Sequence, residues 1–265
     1  FSSLVWYSCM LRITNRKLIL GRHEGMFHVR KSFRQVVDVS SPPFQSNGLE
    51  SFFVNVLCVL LMYGSAYLAN TGAMLFGKWI PDKTGIPVII IDRGRNHSDG
   101  HRILGDGKSW NGLIGGGIFS GILFIVAHNI WNDNGTDAPF IDPLIYANSG
   151  DWFWFFGGDF SSSFAAFTMG FILGFSCMIG DMCGSFVKRR RGLKREGDES
   201  SEAPLLDTIP FAIAIFATAF LLFDGQIITH PNLVEEIIFL LIITPVIHRS
   251  FNILGYKFGL KEVPY

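Results

Sequence analysis

The sequence predicts an all-α integral membrane bundle of five transmembrane helices. Nearly half of the 265 residues (49%) are hydrophobic, and the mean hydropathy is positive. Several segments also lack charged side chains over lengths close to those needed to cross a hydrocarbon core about 30 Å thick. Finally, the basic residues are concentrated in alternate loops, which is typical of a multi-pass membrane protein.

Five segments are the candidate spans. The three clear candidates are residues 51–76, 113–130 and 164–180, which are separated by long loops. Residues 209–223 and 237–247 are shorter, and the last of these contains Pro245. We predict that both also cross the membrane, because a helix surrounded by other helices need not be apolar on every face.

The loop charges predict the orientation. Residues 78–111 carry six Lys or Arg, residues 181–207 carry six more, and the tail from His248 carries three. Residues 131–163 contain five Asp and no Lys or Arg. By the positive-inside rule, the two basic segments and the C-terminus face the cytoplasm, so a site built from these loops would be cytoplasmic.

The N-terminal part does not fit this scheme. Residues 1–48 contain the other seven Lys and Arg, which the five-span topology would place outside. We interpret residues 1–48 as an extension, either a fragment boundary or a poorly ordered segment, and residues 49–265 as the membrane domain.

A tract between the third and fourth spans has the composition of a magnesium and phosphate site. Asp181 and Asp207 bracket six basic residues. Carboxylates are the hard oxygen ligands that Mg²⁺ prefers, and Lys and Arg bind phosphate oxygens. We therefore predict Asp181 and Asp207 as metal ligands and Lys188, Arg189 and Arg190 as phosphate contacts. The alternative is a juxtamembrane basic loop that only orients the protein.

A glycine-rich tract between the first two spans, residues 91–112, predicts a second phosphate contact. Gly94, Gly100, Gly105 and Gly107 let the backbone approach a ligand, and Lys108 stands where the next helix begins. The tract is not a Walker motif, because the preceding strand and the upstream glycine are missing. We predict a phosphate or nucleotide loop of another fold, with Asp106, Gly107 and Lys108 as contacts.

Polar residues in the last and first spans predict substrate contacts. If the C-terminal tract is helical, His248, Asn252 and Tyr256 fall on one face, with Arg249 beside them. The alternative is that the basic residues only extend to the membrane surface. Asn70, near the end of the first span, is suited equally to interhelical hydrogen bonding and to substrate contact.

Four tracts in order resemble one known family. These tracts are YLAN at 67–70, ILGDGKSWNG at 103–112, GDMCGSFVKRRRGLKREGD with APLLD between 180 and 207, and HRSFNILGYKFGLKEVPY at 248–265. They resemble the archaeal CDP-archaeol synthases, the CTP:2,3-di-O-geranylgeranylglycerol-1-phosphate cytidylyltransferases, over residues 51–265. The 181–207 tract is also similar to the signature region of bacterial CDP-diacylglycerol synthases.

The resemblance implies a five-span enzyme that uses Mg²⁺ to make a CDP-activated ether lipid and pyrophosphate. The expected partners are CTP, an isoprenoid ether-lipid phosphate and the bilayer, and no nucleic acid. The expected catalytic residues are Lys108, Asp181, Lys188, Arg189 and Asp207. The expected substrate contacts are Asn70, Asp92, His248, Arg249 and Asn252.

Two other functions compete with this one. A CDP-alcohol phosphotransferase also uses magnesium in a small membrane fold, and Asp99-Gly100 resembles the start of its motif. The Ala-Arg pair and the two later Asp residues of that motif are missing. A transporter would place charges or broken helices near mid-membrane, whereas the first three spans contain no charge.

Overall fold

The computed structural model describes residues 48–131, 138–144, 162–193, 204–222 and 233–259, all of which belong to one compact unit. The regular secondary structure among these residues is helical, and their extended pairing is confined to two isolated bridges, Ile90 with Ser109 and Asn96 with Arg102. The all-α prediction is confirmed. We interpreted residues 1–48 as an extension, but residues 1–47 lie outside the described part of the chain, so this interpretation stays a prediction.

The described residues form seven α-helices and one π-helical turn. That turn, Leu75–Trp79, lies between the second and third α-helices. The α-helices are α1 (Leu49–Tyr67), α2 (Ala69–Met74), α3 (Ile80–Thr84), α4 (Trp110–Trp131), α5 (Ser162–Arg190), α6 (Pro204–Leu222) and α7 (Leu233–Lys257).

Five helical stretches are long and apolar enough to cross a membrane, which confirms the predicted five-span bundle. The first consists of α1, α2, the π turn and α3, and the others are α4, α5, α6 and α7. The first stretch ends at Gly85, whose φ of 73° is the left-handed conformation that terminates many helices. Pro245 does not interrupt the last span, because α7 continues through it.

The third span is longer than predicted. We expected it to end at Gly180, with Asp181 and the basic residues in a loop, but α5 continues to Arg190. Lys188, Arg189 and Arg190 form its last turn, where positive charge is favoured by the helix dipole. Asp207 likewise lies in the first turn of α6, where negative charge is favoured. Several predicted site residues are therefore held by rigid helices.

Small residues bring α4 and α5 into close contact. A Cβ added at Gly121 would lie 2.8 Å from the ring of Phe167, and one added at Gly117 would lie 2.9 Å from the ring of Phe171. Such small residues let helix backbones approach closely in a membrane, where packing is the main source of association. The pair forms a rigid core that fixes the start of α4 relative to α5.

Polar contacts join the first and last spans. The buried Asn55 amide donates to Glu236 at 3.0 Å, and the hydroxyls of Tyr67 and Thr244 lie 3.3 Å apart. Phe52 packs edge-on against Phe239 at the same end as Asn55. These contacts hold α7 beside α1, which sets the position of the polar residues further along α7.

Candidate active site

A cavity of about 300 Å³ lies at the end of the bundle that carries the glycine-rich loop, residues 85–109. Its walls come from the end of the first span, from this loop and the start of α4, and from α5. Polar and charged side chains in its lining include Asn70, Lys78, Asp106, Lys108, Ser109 and Asp181. The structure therefore brings together predicted residues from three separate parts of the sequence.

The loop and the start of α4 position Lys108. Ser109 caps α4, because its Oγ accepts a hydrogen bond from the Gly112 N–H at 3.1 Å. The backbone N–H of Ile91 donates to the Lys108 carbonyl at 2.9 Å, which ties the two ends of the loop together. From this position the Lys108 ammonium forms an ion pair with Asp181 of α5. Both side chains are about one-fifth exposed, at 22% each.

The packing of α5 against α6 places Asp207 near the level of Asp181. A Cβ at Gly184 would overlap the Leu206 carbonyl oxygen, and one at Gly180 would overlap the Pro210 carbonyl oxygen. These two contacts define an antiparallel register in which Asp207 lies opposite residue 183. At a rise of 1.5 Å per residue, Asp207 and Asp181 differ by roughly 3 Å in height along the helices.

Lys188 completes this arrangement. It lies seven residues after Asp181, so both side chains project from the same face of α5. Its ammonium forms a buried ion pair with Asp207, in which each side chain is 8% exposed. The two predicted metal ligands are thus each paired with a predicted phosphate-binding lysine.

Arg189 faces a different depression from the one that Lys108 lines. Its Nε donates to the Leu104 carbonyl at 3.4 Å, and one Nη donates to the Leu193 carbonyl at 3.3 Å. Gly105, with φ of 100°, leaves room for the guanidinium, because a Cβ there would lie 3.3 Å from Arg189 Nε. Asp106 lines both this depression and the cavity. The predicted contact of Arg189 with substrate stays a prediction.

Arg190 holds the glycine-rich loop. Its guanidinium lies 4.8 Å from the Phe186 ring centroid, donates to Asp99 at 3.1 Å, and donates to the carbonyl oxygens of His101 and Arg102. It is absent from the lining of the cavity. The role that the structure shows is therefore to fix the loop, and the predicted contact with nucleotide phosphates stays a prediction.

Asp92 organises the loop from inside. Its side chain is 1% exposed and accepts hydrogen bonds from the backbone N–H groups of Gly94, Leu104 and Gly105 and from the guanidinium of Arg102. Burial by itself would raise the pKa of Asp92, but these donors outweigh it and hold the pKa well below its ordinary value. Because all of these partners belong to the loop, a direct contact with substrate would require one of these bonds to break.

Arg102 is a site residue that the sequence did not reveal. It bridges Asp92 and Asp106, with one Nη 2.8 Å from each carboxylate. Hydrogen bonds to Asp92 and then to Asp106 raise the pKa of Arg102 further above its ordinary value. In the sequence Arg102 is only one of several basic residues in the loop. Its charge does not show that it pairs with Asp92, ten residues before it, and with Asp106, four residues after it.

The predicted substrate residues Asn70, His248 and Asn252, from the first and last spans, lie together in a groove. Asn70 Nδ2 lies 3.4 Å from His248 Nε2, and Asn252 Nδ2 lies 3.3 Å from His248 Nδ1. These residues line a groove whose other walls include Tyr67, Phe211 and Phe251. Asn70 and Met74 line both the groove and the cavity, so the two adjoin.

Two residues near this groove differ from the expected pattern. Tyr256 was placed on the same face as His248 and Asn252, but it is 47% exposed and does not line the groove. Arg249 is also exposed and absent from the lining, so its substrate contact stays a prediction. The polar stripe of α7 therefore ends at Asn252.

The sequence match to known proteins identifies the family. The CarS-like family model, described as CDP-archaeol synthase, matches residues 52–265. The CDP-archaeol synthase of Picrophilus torridus is 34% identical over 215 residues, which is 80% of this chain and 100% of that protein. The CDP-archaeol synthase of Methanospirillum hungatei is 34% identical over 200 residues, which is 76% of this chain and 98% of that protein.

A solved structure of an intramembrane enzyme for archaeal membrane lipids biosynthesis covers 74% of this chain and 92% of its own, with 22% identity and a TM-score of 0.45. The family assignment rests on the sequence matches, which span nearly the whole described part of the chain. On these matches, the chain belongs to the CDP-archaeol synthase family.

Proposed function

We propose that this chain catalyses the magnesium-dependent transfer of CMP from CTP to 2,3-bis-O-(geranylgeranyl)-sn-glycerol 1-phosphate, with release of pyrophosphate. The observation that carries the proposal is the pair of ion pairs, Lys108 with Asp181 and Lys188 with Asp207, at one end of the bundle. This arrangement supplies both oxygen ligands for a cation and ammonium groups for phosphates. Membership of the CDP-archaeol synthase family supports the same chemistry.

The donor set fits a magnesium ion. Asp181 and Asp207 offer carboxylate oxygens at nearly the same height on two adjacent helices, and Asp181 lines the cavity. The described residues contain no group of three or more His, Cys, Asp and Glu side chains placed to hold a metal, so a bound ion would rely on these two carboxylates. Two carboxylates are compatible with Mg²⁺, which commonly uses one or two of them and completes its shell with phosphate oxygens and water. When bound, the ion would neutralise charge on the nucleotide phosphates.

The reaction needs positioning and charge neutralisation more than proton transfer. An oxygen of the lipid phosphate attacks the α-phosphorus of CTP, a new P–O–P bond forms, and the bond from the α-phosphorus to the bridging oxygen of pyrophosphate breaks. Both reactants are anionic, and the attacking phosphate is already ionised near pH 7, so no general base is needed. Lys108 and Lys188 would stabilise the charge on the phosphates and the leaving pyrophosphate.

The groove beside the cavity suits the head group of the lipid. Its polar floor contains Asn70, His248 and Asn252, while Phe211 and Phe251 contribute apolar walls. A glycerol backbone with ether oxygens could lie there while the isoprenoid chains remain among the hydrocarbon tails. The phosphate would then point into the adjoining cavity.

The charge pattern supports a cytoplasmic active site. The cavity lies at the end of the bundle formed by the two basic segments, which the positive-inside rule assigns to the cytoplasm. CTP is made in that compartment. The charge pattern and the source of CTP therefore indicate the same side of the membrane for the active site.

The direct test is an assay of the purified chain in detergent micelles. It receives CTP, Mg²⁺ and one of three lipid phosphates: the geranylgeranyl ether, the saturated ether or a diacyl ester. We expect equal amounts of CDP-lipid and pyrophosphate, and no product when EDTA replaces Mg²⁺. A phosphotransferase would instead release CMP from a supplied CDP-lipid and an alcohol. Absence of CTP consumption with every lipid phosphate would contradict the proposal.

A further inference from the structure

Lys78 is a cavity residue whose role the sequence pattern does not reveal. By sequence it is only a basic residue at the end of a membrane span, which is expected for orientation alone. In the structure it lines the same cavity as Lys108 and Asp181. It lies in the π-helical turn Leu75–Trp79, a kind of irregularity that is frequent at functional sites.

Close packing brings this turn next to the start of α4. A Cβ at Gly77 would lie 3.2 Å from Ser109 Oγ and 3.3 Å from Gly112 Cα, so the two backbones approach closely. Lys78 follows Gly77 and Lys108 precedes Ser109, so this contact brings together the backbones that carry the two lysines of the cavity lining. The cavity thus has a basic residue on the membrane-span wall as well as one on the loop wall.

The same helical face connects Lys78 to the groove. Asn70, Met74 and Lys78 follow one another at intervals of four residues, and all three line the cavity. Asn70 and Met74 also line the groove beside His248 and Asn252. Lys78 therefore continues into the cavity the helical face that the cavity shares with the groove.

The two walls suit different phosphates. On the loop wall, Lys108 is paired with Asp181, one of the two carboxylates proposed to hold the metal. Lys188, which is absent from the cavity lining, is paired with the other carboxylate, Asp207.

Lys78 lies on the helical face of the groove residues Asn70 and Met74, near the end of a stretch long and apolar enough to cross a membrane. A lysine at such a position can extend its ammonium group to the phosphates at the membrane surface. A lysine is a compact point charge with three donors, which suits a terminal phosphate.

We propose that Lys78 binds the phosphate of the lipid substrate, a membrane-anchored phosphate monoester, and orients its attacking oxygen. This inference rests on the proposed function. It assigns the anionic substrates to separate lysines, with Lys78 for the acceptor and Lys108 and Lys188 for the nucleotide. Separate contacts would let the two anions approach each other without sharing a cation.

The test compares Lys78→Met with Lys83→Met and Lys78→Arg. Lys83 is a matched control, because it lies five residues later in the same span end, its Nζ is 4.8 Å from the Trp79 ring centroid, and it does not line the cavity. We expect Lys78→Met to raise the apparent KM for lipid phosphate roughly ten- to hundredfold, as loss of a charged hydrogen bond predicts. The KM for CTP should change less than about twofold, and Lys78→Arg should restore part of the affinity because it retains the charge.

A second measurement separates this inference from the proposed function. Equilibrium binding of geranylgeranyl-ether phosphate to the full chain is measured without CTP, alongside the thermal unfolding of each variant. We expect weaker binding only for Lys78→Met, with unchanged unfolding. The inference is overturned if Lys78→Met raises the KM for CTP instead, if neither KM changes, or if Lys83→Met has the same effect. If the wild-type chain forms no CDP-lipid, the proposed function fails, while the binding measurement still decides the role of Lys78.

Discussion

Lys188 and Asp207 form a buried ion pair between the last turns of α5 and the first turn of α6. The pair joins two residues that are 19 positions apart in sequence. Each partner is also favoured at its own helix end, because positive charge suits the C-terminus of α5 and negative charge suits the N-terminus of α6. The pair therefore stabilises the contact between the two helices and holds Asp207 close to the level of Asp181, which lines the cavity.

The first prediction concerns the two lysines. Lys108→Ala and Lys188→Ala should each raise the apparent KM for CTP more than that for lipid phosphate. They should differ in stability, because breaking a buried pair is strongly destabilising, by about 3–5 kcal/mol, and the Lys108 pair is more exposed. Steady-state kinetics and thermal unfolding check this. Unchanged dependence on CTP in both variants would make these lysines orientation signals only.

Asp92 provides a prediction about the glycine-rich loop and about pH. Its pKa is depressed in the folded chain, so its contribution to stability is complete above its ordinary value of about 3.9 and is lost as the pH falls through the depressed value. Between pH 5 and 8 Asp92 should therefore contribute a constant amount, and any change of activity in that range belongs to other groups.

Substitution tests the same residue. Asp92→Asn should lower the Tm and increase hydrogen exchange at residues 94–105, because the amide cannot accept all of the bonds that the carboxylate accepts. Asp82→Asn is the control, since Asp82 is exposed and lies in α3, just before the loop. Similar exchange in the two variants would show that Asp92 does not organise the loop.

Gly184 should be sensitive to a single methyl group. A Cβ there overlaps the Leu206 carbonyl oxygen, which is backbone and cannot move independently, so Gly184→Ala should separate α5 from α6. We expect a lower Tm and loss of activity. Gly64→Ala is the matched control, because nothing lies within 4 Å of its added Cβ and the change should be neutral or slightly stabilising. Equal Tm values for the two variants would contradict the inferred register.

The sequence predicted the spans better than it predicted their ends. The uncharged segments locate all five membrane spans, because burial in hydrocarbon requires long apolar stretches. The end of α5 was missed, since helix-dipole interactions and the contact with Asp207 extend it past Gly180 into a charged segment. Charge alone did not separate the roles of Arg190, which clamps the loop, and Lys78, which lines the cavity. Those roles depend on packing between helices, which a single sequence does not specify.

The orientation of the bundle is tested by labelling. With the native Cys residues removed, a Cys introduced at Asn134 should react with a membrane-impermeant thiol reagent in intact cells, and one at Ser200 should not. Six, six and three basic residues fall on the side assigned to the cytoplasm, and none falls in residues 131–163. Labelling at Ser200 and protection at Asn134 would reverse the topology and place the cavity outside.

The central claim is that Asp181 and Asp207, from two adjacent helices, act together at one metal site for the nucleotide. It is tested most directly by replacing Mg²⁺ with Mn²⁺ and measuring its binding by electron paramagnetic resonance in the presence of CTP. We expect one tightly bound ion per wild-type chain, its loss in both Asp181→Asn and Asp207→Asn, and a fall in turnover on the order of a hundredfold or more in each. Full retention of the bound ion and near-normal turnover in both variants would contradict the claim.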